Sequence, residues 1–212
     1  MNLLIATSNP HKLDELRAIL APFGIDPVGL DSIPGSNSFP EPEESADTFE
    51  GNALIKATAY ARMTNRICLA DDSGLEVDAL DGAPGVHSAR YAGVGANRAE
   101  RDAANNAKLL AELDNIPDEQ RSARFVCCIC VASPSGGEGQ ILATSRGTFE
   151  GRIAHTPRGI HGFGYDPLLI LPDGRTSAEL PPDEKNQRSH RAAAAREIAP
   201  QLARILRTAS QK

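Results

Sequence analysis

An apolar run, Ile67-Cys68-Leu69-Ala70, leads straight into two adjacent carboxylates, Asp71 and Asp72, followed by Ser73, Gly74 and Leu75. No other stretch limits the fold as tightly. Four apolar residues bounded in this way read as a buried strand. Leu75, Val77 and Ala79 then alternate with polar positions, as a second strand would. The pattern predicts strand, polar turn, strand. Carboxylates at a strand end beside a glycine turn suit a hard cation such as Mg²⁺. Neighbouring side chains on a strand point to opposite faces, so Asp71 and Asp72 need not share a job. The same residues are favoured in plain turns, so their chemistry has to be argued from the rest of the chain.

The chain has 212 residues, 41% of them hydrophobic. That is one domain over 1–212, or two lobes sharing a core, without need of disulfide or metal staples. Net charge is −6 with both signs mixed, which argues against a general nucleic-acid binder. Aromatics are 4% and tryptophan is absent, leaving no evident platform for stacked single strands. A small anionic substrate stays compatible, because a few local cations and a metal suffice. Met1 to Ala6 is apolar but short, lacks a basic leader, and reads as a first buried strand. No apolar run approaches membrane-spanning length. Of the four cysteines, Cys127, Cys128 and Cys130 share the apolar run Phe125 to Val131, and no His or Cys cluster completes a zinc spacing. They and Cys68 read as small buried hydrophobes in a cytoplasmic protein.

After the first strand, Asn9 is a good N-cap and Pro10 fits the first helical position. Leu13, Leu16, Ile19 and Leu20 recur at helical spacing, and Gly24 closes the segment. Such a helix start offers unpaired N–H groups and a positive dipole end to an anion. Lys12 adds a full positive charge where the dipole would favour an acid, a local conflict expected at working sites. Residues 31–47 read as a long surface loop carrying Glu41, Glu43 and Glu44, and Asp47 with Glu50 resembles a capping box. In the helix that follows, Phe49, Ala53, Ala57 and Tyr60 mark one face and Thr48, Asn52 and Lys56 another.

Beyond the Asp-Asp stretch, Asp81 to Gly85 is a turn, and a helix is predicted over about 97–113 with Ala103, Ala107, Leu110 and Leu113 on one side. Two strands, 124–132 and 141–149, form a hairpin across Ser-Pro-Ser-Gly-Gly. A glycine-rich loop over 157–167 permits close approach of a ligand. A short strand, 168–171, precedes an alanine-rich helix that reaches about Arg207, interrupted or kinked at Pro200.

Taken in order, these pieces resemble the inosine/xanthosine triphosphate pyrophosphatase family, the Ham1-like or RdgB-like non-standard purine nucleotide pyrophosphatases. The matching elements are Thr7-Ser8-Asn9-x-x-Lys12, Thr48-Phe49-x-x-Asn52-Ala53-x-x-Lys56-Ala57, Ala70 to Leu75, Gly82 to Gly85 with Ser88 to Tyr91, Gly162 to Pro167, and Glu184-Lys185-Asn186 with Ser189-His190-Arg191. They run nearly the whole chain. Two positions depart from the pattern: Gly51, where a glutamate often stands, and His161, where Gly or Asn is usual. The resemblance implies an α/β fold, an elongated mixed β-sheet with flanking helices and two lobes around a central nucleotide-binding cleft. It also implies a homodimer and Mg²⁺-dependent hydrolysis of ITP, dITP or XTP to the monophosphate and pyrophosphate, clearing deaminated purines from the nucleotide pool.

Residue reading and resemblance together assign roles. Thr7, Ser8, Asn9, Pro10, His11 and Lys12 hold the triphosphate. Asp72 meets the metal and takes a proton from the attacking water. Glu44 is the loop ligand, with Glu43 as alternate, and Asp71 supports from behind. Lys56 and Ser73 contact substrate. Attack at the α-phosphorus, with pyrophosphate leaving intact, comes from the resemblance alone. Inosine and xanthosine carry an acceptor oxygen at C6 where adenine carries a donor, and buried polar mismatch discriminates strongly. Lys185, His190 and Arg191 are the candidate donors, with Phe163, Gly164, Tyr165 and Asp166 as the wall. The competing readings are a Maf-like pyrophosphatase acting on other nucleotides and a nucleotide sensor without turnover.

Overall fold

The computed structural model describes residues 3–135, 137 and 139–209, so Met1 and Asn2 of the expected first strand, and Gly136 of the expected hairpin turn, lie outside the described residues. The elements are strands β1 (Leu4–Ile5), β2 (Val28–Gly29), β3 (Cys68–Val77), β4 (Ser122–Ser133), β5 (Gln140–Ile153) and β6 (Leu169–Ile170). The helices are α1 (Pro10–Leu20), α2 (Phe49–Thr64), α3 (Arg98–Glu112), α4 (Pro182–Arg188) and α5 (His190–Ala209). The strands make a mixed sheet in the order β2-β1-β3-β4-β5-β6. β1 is parallel to β2 and to β3, with Leu4 opposite Val28 and Cys68, and β5 is antiparallel to β6. The chain divides into two compact units, one of residues 1–72, 127–147 and 190–212, the other of 73–126 and 148–189.

In the first unit, Leu13, Leu16, Ile19 and Leu20 of α1 bury against Ile198 and Leu202 of α5 and against Ile5, Leu69 and Ile129 of the sheet. This is the stripe the helical spacing predicts, and each fully buried aliphatic side chain contributes roughly 1.5–3 kcal/mol. α5 runs unbroken through Pro200 to Ala209. In the second unit, Leu75, Val77, Phe125, Phe149 and Ile153 of the strands pack with Leu109, Leu113, Leu168 and Leu180. The four cysteines are free and buried, as their apolar settings predict. Burial alone pushes the Cys130 thiol up to about 12, so it is inert at neutral pH.

Three local expectations need correction. The Asp-Asp-Ser-Gly stretch is no turn: β3 passes straight through it, and the carboxylates sit in mid-strand. Gly74 is there for space, since a Cβ would lie 2.3 Å from Ser88 Oγ and 2.7 Å from the Gly85 carbonyl oxygen. Ser88 Oγ accepts from the Leu75 amide (2.9 Å), so the crowding reflects a real strand contact. Gly74→Ala is expected to lower stability by about 2 kcal/mol in a urea titration, an overpacking effect. Next, the cap of α2 is Thr48 and not Asp47. Thr48 Oγ1 accepts from the Gly51 amide at 3.1 Å, a register in which Phe49 is buried. Finally, α3 turns Asn105 and Leu109 inward, while Ala103 and Ala107 are exposed. Asn105 is buried because both ends of its amide are used, by Ala92 N–H (2.7 Å) and the Ser88 carbonyl (3.1 Å). Among the described residues, no helix is long and apolar enough to cross a membrane.

Candidate active site

The first unit gathers the phosphate and metal candidates. β1 delivers the chain to Thr7, whose Oγ1 accepts from the Asn9 amide (3.2 Å). Asn9 Oδ1 caps α1 by accepting from the His11 amide (3.1 Å), with Pro10 at the first helical position. Ser8, Pro10 and His11 are exposed, so this helix start faces solvent with its dipole end available.

Asp71 and Asp72 point apart and meet different partners. Asp71 Oδ2 accepts from Lys12 Nζ (3.0 Å) and Arg191 Nη2 (3.2 Å). Arg191 also pairs with Glu15 of α1. Asp71 and Arg191 are 3% and 1% exposed, so this is a buried network. Burial alone would raise the Asp71 carboxyl, but Lys12, Arg191 and Lys56 outweigh it and hold the group far below the ordinary carboxylate range.

Asp72 lies on the other face. Its Oδ1 accepts from Lys56 Nζ (2.8 Å) and its Oδ2 from Asn52 Nδ2 (3.3 Å). Burial pushes its carboxyl up, with Glu44 adding to the rise, and Lys56 and Lys12 offset only part of it. Lys56 Nζ also donates to Glu44 Oε1 at 2.7 Å. The two carboxylates expected to hold a metal therefore converge on one ammonium, so their oxygens lie within reach of one cation. Glu44 is half-buried toward Lys56 while Glu43 is exposed. Among the described residues no group of three His, Cys, Asp or Glu side chains is arranged to hold a metal ion. A pair of hard carboxylates fits an ion that takes its remaining ligands from phosphate oxygens and water.

The second unit holds the glycine-rich loop. Asp166, 2% exposed, accepts from the Phe163 amide (2.8 Å), Ser177 Oγ (2.7 Å) and Lys185 Nζ (2.6 Å). Gly162 has φ +77°, and a Cβ there would sit 2.1 Å from Asp166 Oδ2, so only glycine lets the loop wrap this carboxylate. Lys185 Nζ lies 4.9 Å from the Phe163 ring centroid. Tyr165 is buried, its hydroxyl donating to the Ser88 carbonyl (2.9 Å).

The expected base donors fall in both units. Lys185 belongs to the second unit with Phe163 to Asp166. His190 and Arg191 open α5 in the first unit, and Arg191 is committed to Glu15 and Asp71 because the first turn of α5 faces α1 and β3. Ser73 is half-buried in β3, one residue past Asp72.

Comparison with known proteins places the chain. Residues 3–201 match the Ham1 family. The chain belongs to the Ham1 family. A protein named dITP/XTP pyrophosphatase from Exiguobacterium sp. strain AT1b is 49% identical over 95% of this chain and 97% of its own length. A Bacillus subtilis protein of the same name is 47% identical over 92% and 94%. The solved HAM1 protein of Coxiella burnetii superposes with TM-score 0.82 at 39% identity, covering 96% of this chain and 99% of its own.

Residue reasoning left Glu15, Asn52 and Cys127 out of this Ham1 site. Asn52 is fully buried, and its Oδ1 accepts from the Ala46 amide (3.0 Å) while its Nδ2 donates to Asp72. Its i, i+4 spacing to Lys56 was the available signal. Glu15 had a weaker one, three residues past Lys12. Cys127 lies 3.9 Å from Asp71 Oδ2, and no pattern marked it. The Gly51 departure has a local reason: a Cβ there would meet Ala46 Cβ at 2.5 Å, so the loop carrying Glu44 packs onto α2 through this position. His161 is exposed and its amide donates to the Ala178 carbonyl (3.0 Å), a backbone contact indifferent to the side chain.

Proposed function

We propose that this chain hydrolyses dITP, ITP and XTP to the monophosphate and pyrophosphate, removing deaminated purines from the nucleotide pool. The observation that carries the reading is the convergence of Glu44 and Asp72 on one cation position, in the same unit as the exposed start of α1 and Lys12. The names of the close relatives support the substrate class.

The triphosphate binds at Thr7 to Lys12. Backbone N–H groups at the start of α1 donate to its oxygens, and Lys12, held by Asp71, supplies a fixed charge. Glu44 and Asp72 would hold Mg²⁺, which when bound neutralises charge developing on the phosphates. Charge balance favours a divalent ion: Lys12, Lys56 and Arg191 stand against Glu15, Glu44, Asp71 and Asp72, so the side chains alone leave the site slightly negative. Asp72 accepts a proton as water attacks the α-phosphorus. The new P–O bond forms as the bond to the bridging oxygen breaks, and pyrophosphate leaves with that oxygen. Without a metal, burial pushes the Asp72 carboxyl upward, which favours its taking a proton. Lys56 and Asn52 fix its orientation, and Lys56 and Ser73 also contact substrate. Arg191 acts on the phosphate side, through Asp71. Phe163 to Asp166 form the wall of the base site, with Lys185 of the same unit as donor to the 6-oxygen. A homodimer and a cytoplasmic location go with this reading, and four unbridged buried thiols fit a reducing compartment.

The test is pyrophosphate release from dITP, ITP, XTP, dATP, dGTP and dTTP, with Mg²⁺ and with excess chelator. The expected result is preference for the first three, with activity lost on chelation and restored by Mg²⁺. Preference for dTTP would move the reading to a Maf-like pyrophosphatase, and binding without release would make the chain a sensor.

A further inference from the structure

One face of α3 carries Arg98, Asp102 and Asn106 at successive i, i+4 positions. All three reach the glycine-rich loop, within the second unit. Asp102 Oδ2 accepts from the Gly164 amide (2.9 Å), and Asn106 Nδ2 donates to the Gly164 carbonyl (3.0 Å). Both backbone groups of one residue are thus held by one helix. Arg98 lies over the Phe163 ring, 4.7 Å from its centroid, on an aromatic that Lys185 approaches to 4.9 Å. The loop already has an internal brace in Asp166. That brace ties the loop to Lys185 and Ser177 but leaves Gly164, its tip, to the helix.

We propose that Asp102 and Asn106 are positioning residues for purine recognition, clamping Gly164 so that Phe163 and its neighbours present a fixed wall to the base. The inference rests on the proposed nucleotide reading and adds to it the residues that set base affinity from outside the matched motifs. Without the clamp, a loop with left-handed glycines at 159, 162 and 164 has other backbone conformations to visit. Ordering it would then fall to the substrate, and affinity drops accordingly. None of the residues proposed for the chemical step lies in this loop, so the effect falls on binding.

The test compares Asp102→Ala, Asn106→Ala and the conservative Asp102→Asn with the wild type. Alanine is a better helix former than either residue it replaces, so α3 persists. Expected for Asp102→Ala is a KM for dITP raised about tenfold, the size of one lost hydrogen bond to a charged group, and for Asn106→Ala, whose lost bond is between neutral groups, a rise of about fivefold, with kcat within about twofold in both. Asp102→Asn keeps an acceptor oxygen and should recover most of the loss. Hydrogen exchange of the segment 159–166 should quicken in the alanine variants. Unchanged exchange there, unchanged KM, or kcat falling as far as KM rises would each overturn the clamp. A wild-type protein that releases no pyrophosphate from dITP or XTP would overturn the functional reading, and the exchange measurement would still decide the clamp.

Discussion

Replacing Asp72 by Asn is expected to cut turnover about 10³-fold, within the range general bases supply, and to leave the fold intact. The amide keeps the shape of the carboxyl and one acceptor for Lys56, whose second partner Glu44 is untouched. It also removes a charge that burial disfavours, which offsets the hydrogen bond lost from Asn52, so stability should stay within about 1 kcal/mol of wild type. Single-turnover pyrophosphate release and a thermal melt check the two halves separately. A variant within tenfold of wild-type kcat would show that the proton goes elsewhere. A collapsed melt would show that Asp72 is a structural partner of Lys56 before it is a base.

Asp71 should behave in the opposite way. Asp71→Asn is expected to cost about 3 kcal/mol or more of folding stability, because Lys12 and Arg191 keep their charges and lose the anion that both contact. Urea titration at pH 7 measures it. The pH dependence has a definite sign. The folded-state carboxyl is held below its ordinary value of 3.8, so its contribution is complete above that value and is lost as pH falls through and below it. The gap between wild type and variant should therefore close on acidification. A gap under 1 kcal/mol at pH 7, or one that widens in acid, would mean that the network is far better solvated than its burial indicates.

The difference between the two aspartates illustrates what could be read in advance. Strand alternation alone says that adjacent side chains face apart, and the partners found on each face agree. The strand-turn-helix at Thr7 to Lys12 was legible for a similar reason: an Asn cap, a Pro at the first position and a four-residue apolar stripe are local signals. The errors came where a distant contact outvoted a local one. Asp-Asp-Ser-Gly carries turn residues, yet Ser88 accepts from the Leu75 amide and Gly74 leaves room for that approach, so the strand continues. Ala103 and Ala107 fit an inward stripe, yet Asn105 is the residue whose hydrogen-bonding capacity is used inside.

The α/β class, the helix that offers its start to an anion, the buried thiols and the family can all be read from the order of residues, because each is carried by short-range pattern or by residues in fixed order. Folding adds which carboxylate faces Lys56 and which faces Arg191, that Glu44 and not Glu43 turns toward Lys56, and that α3 holds Gly164 by both backbone groups. A side chain's partners are chosen across tens of residues of chain, by burial and hydrogen-bond satisfaction at the meeting point, and no local pattern encodes where that point lies.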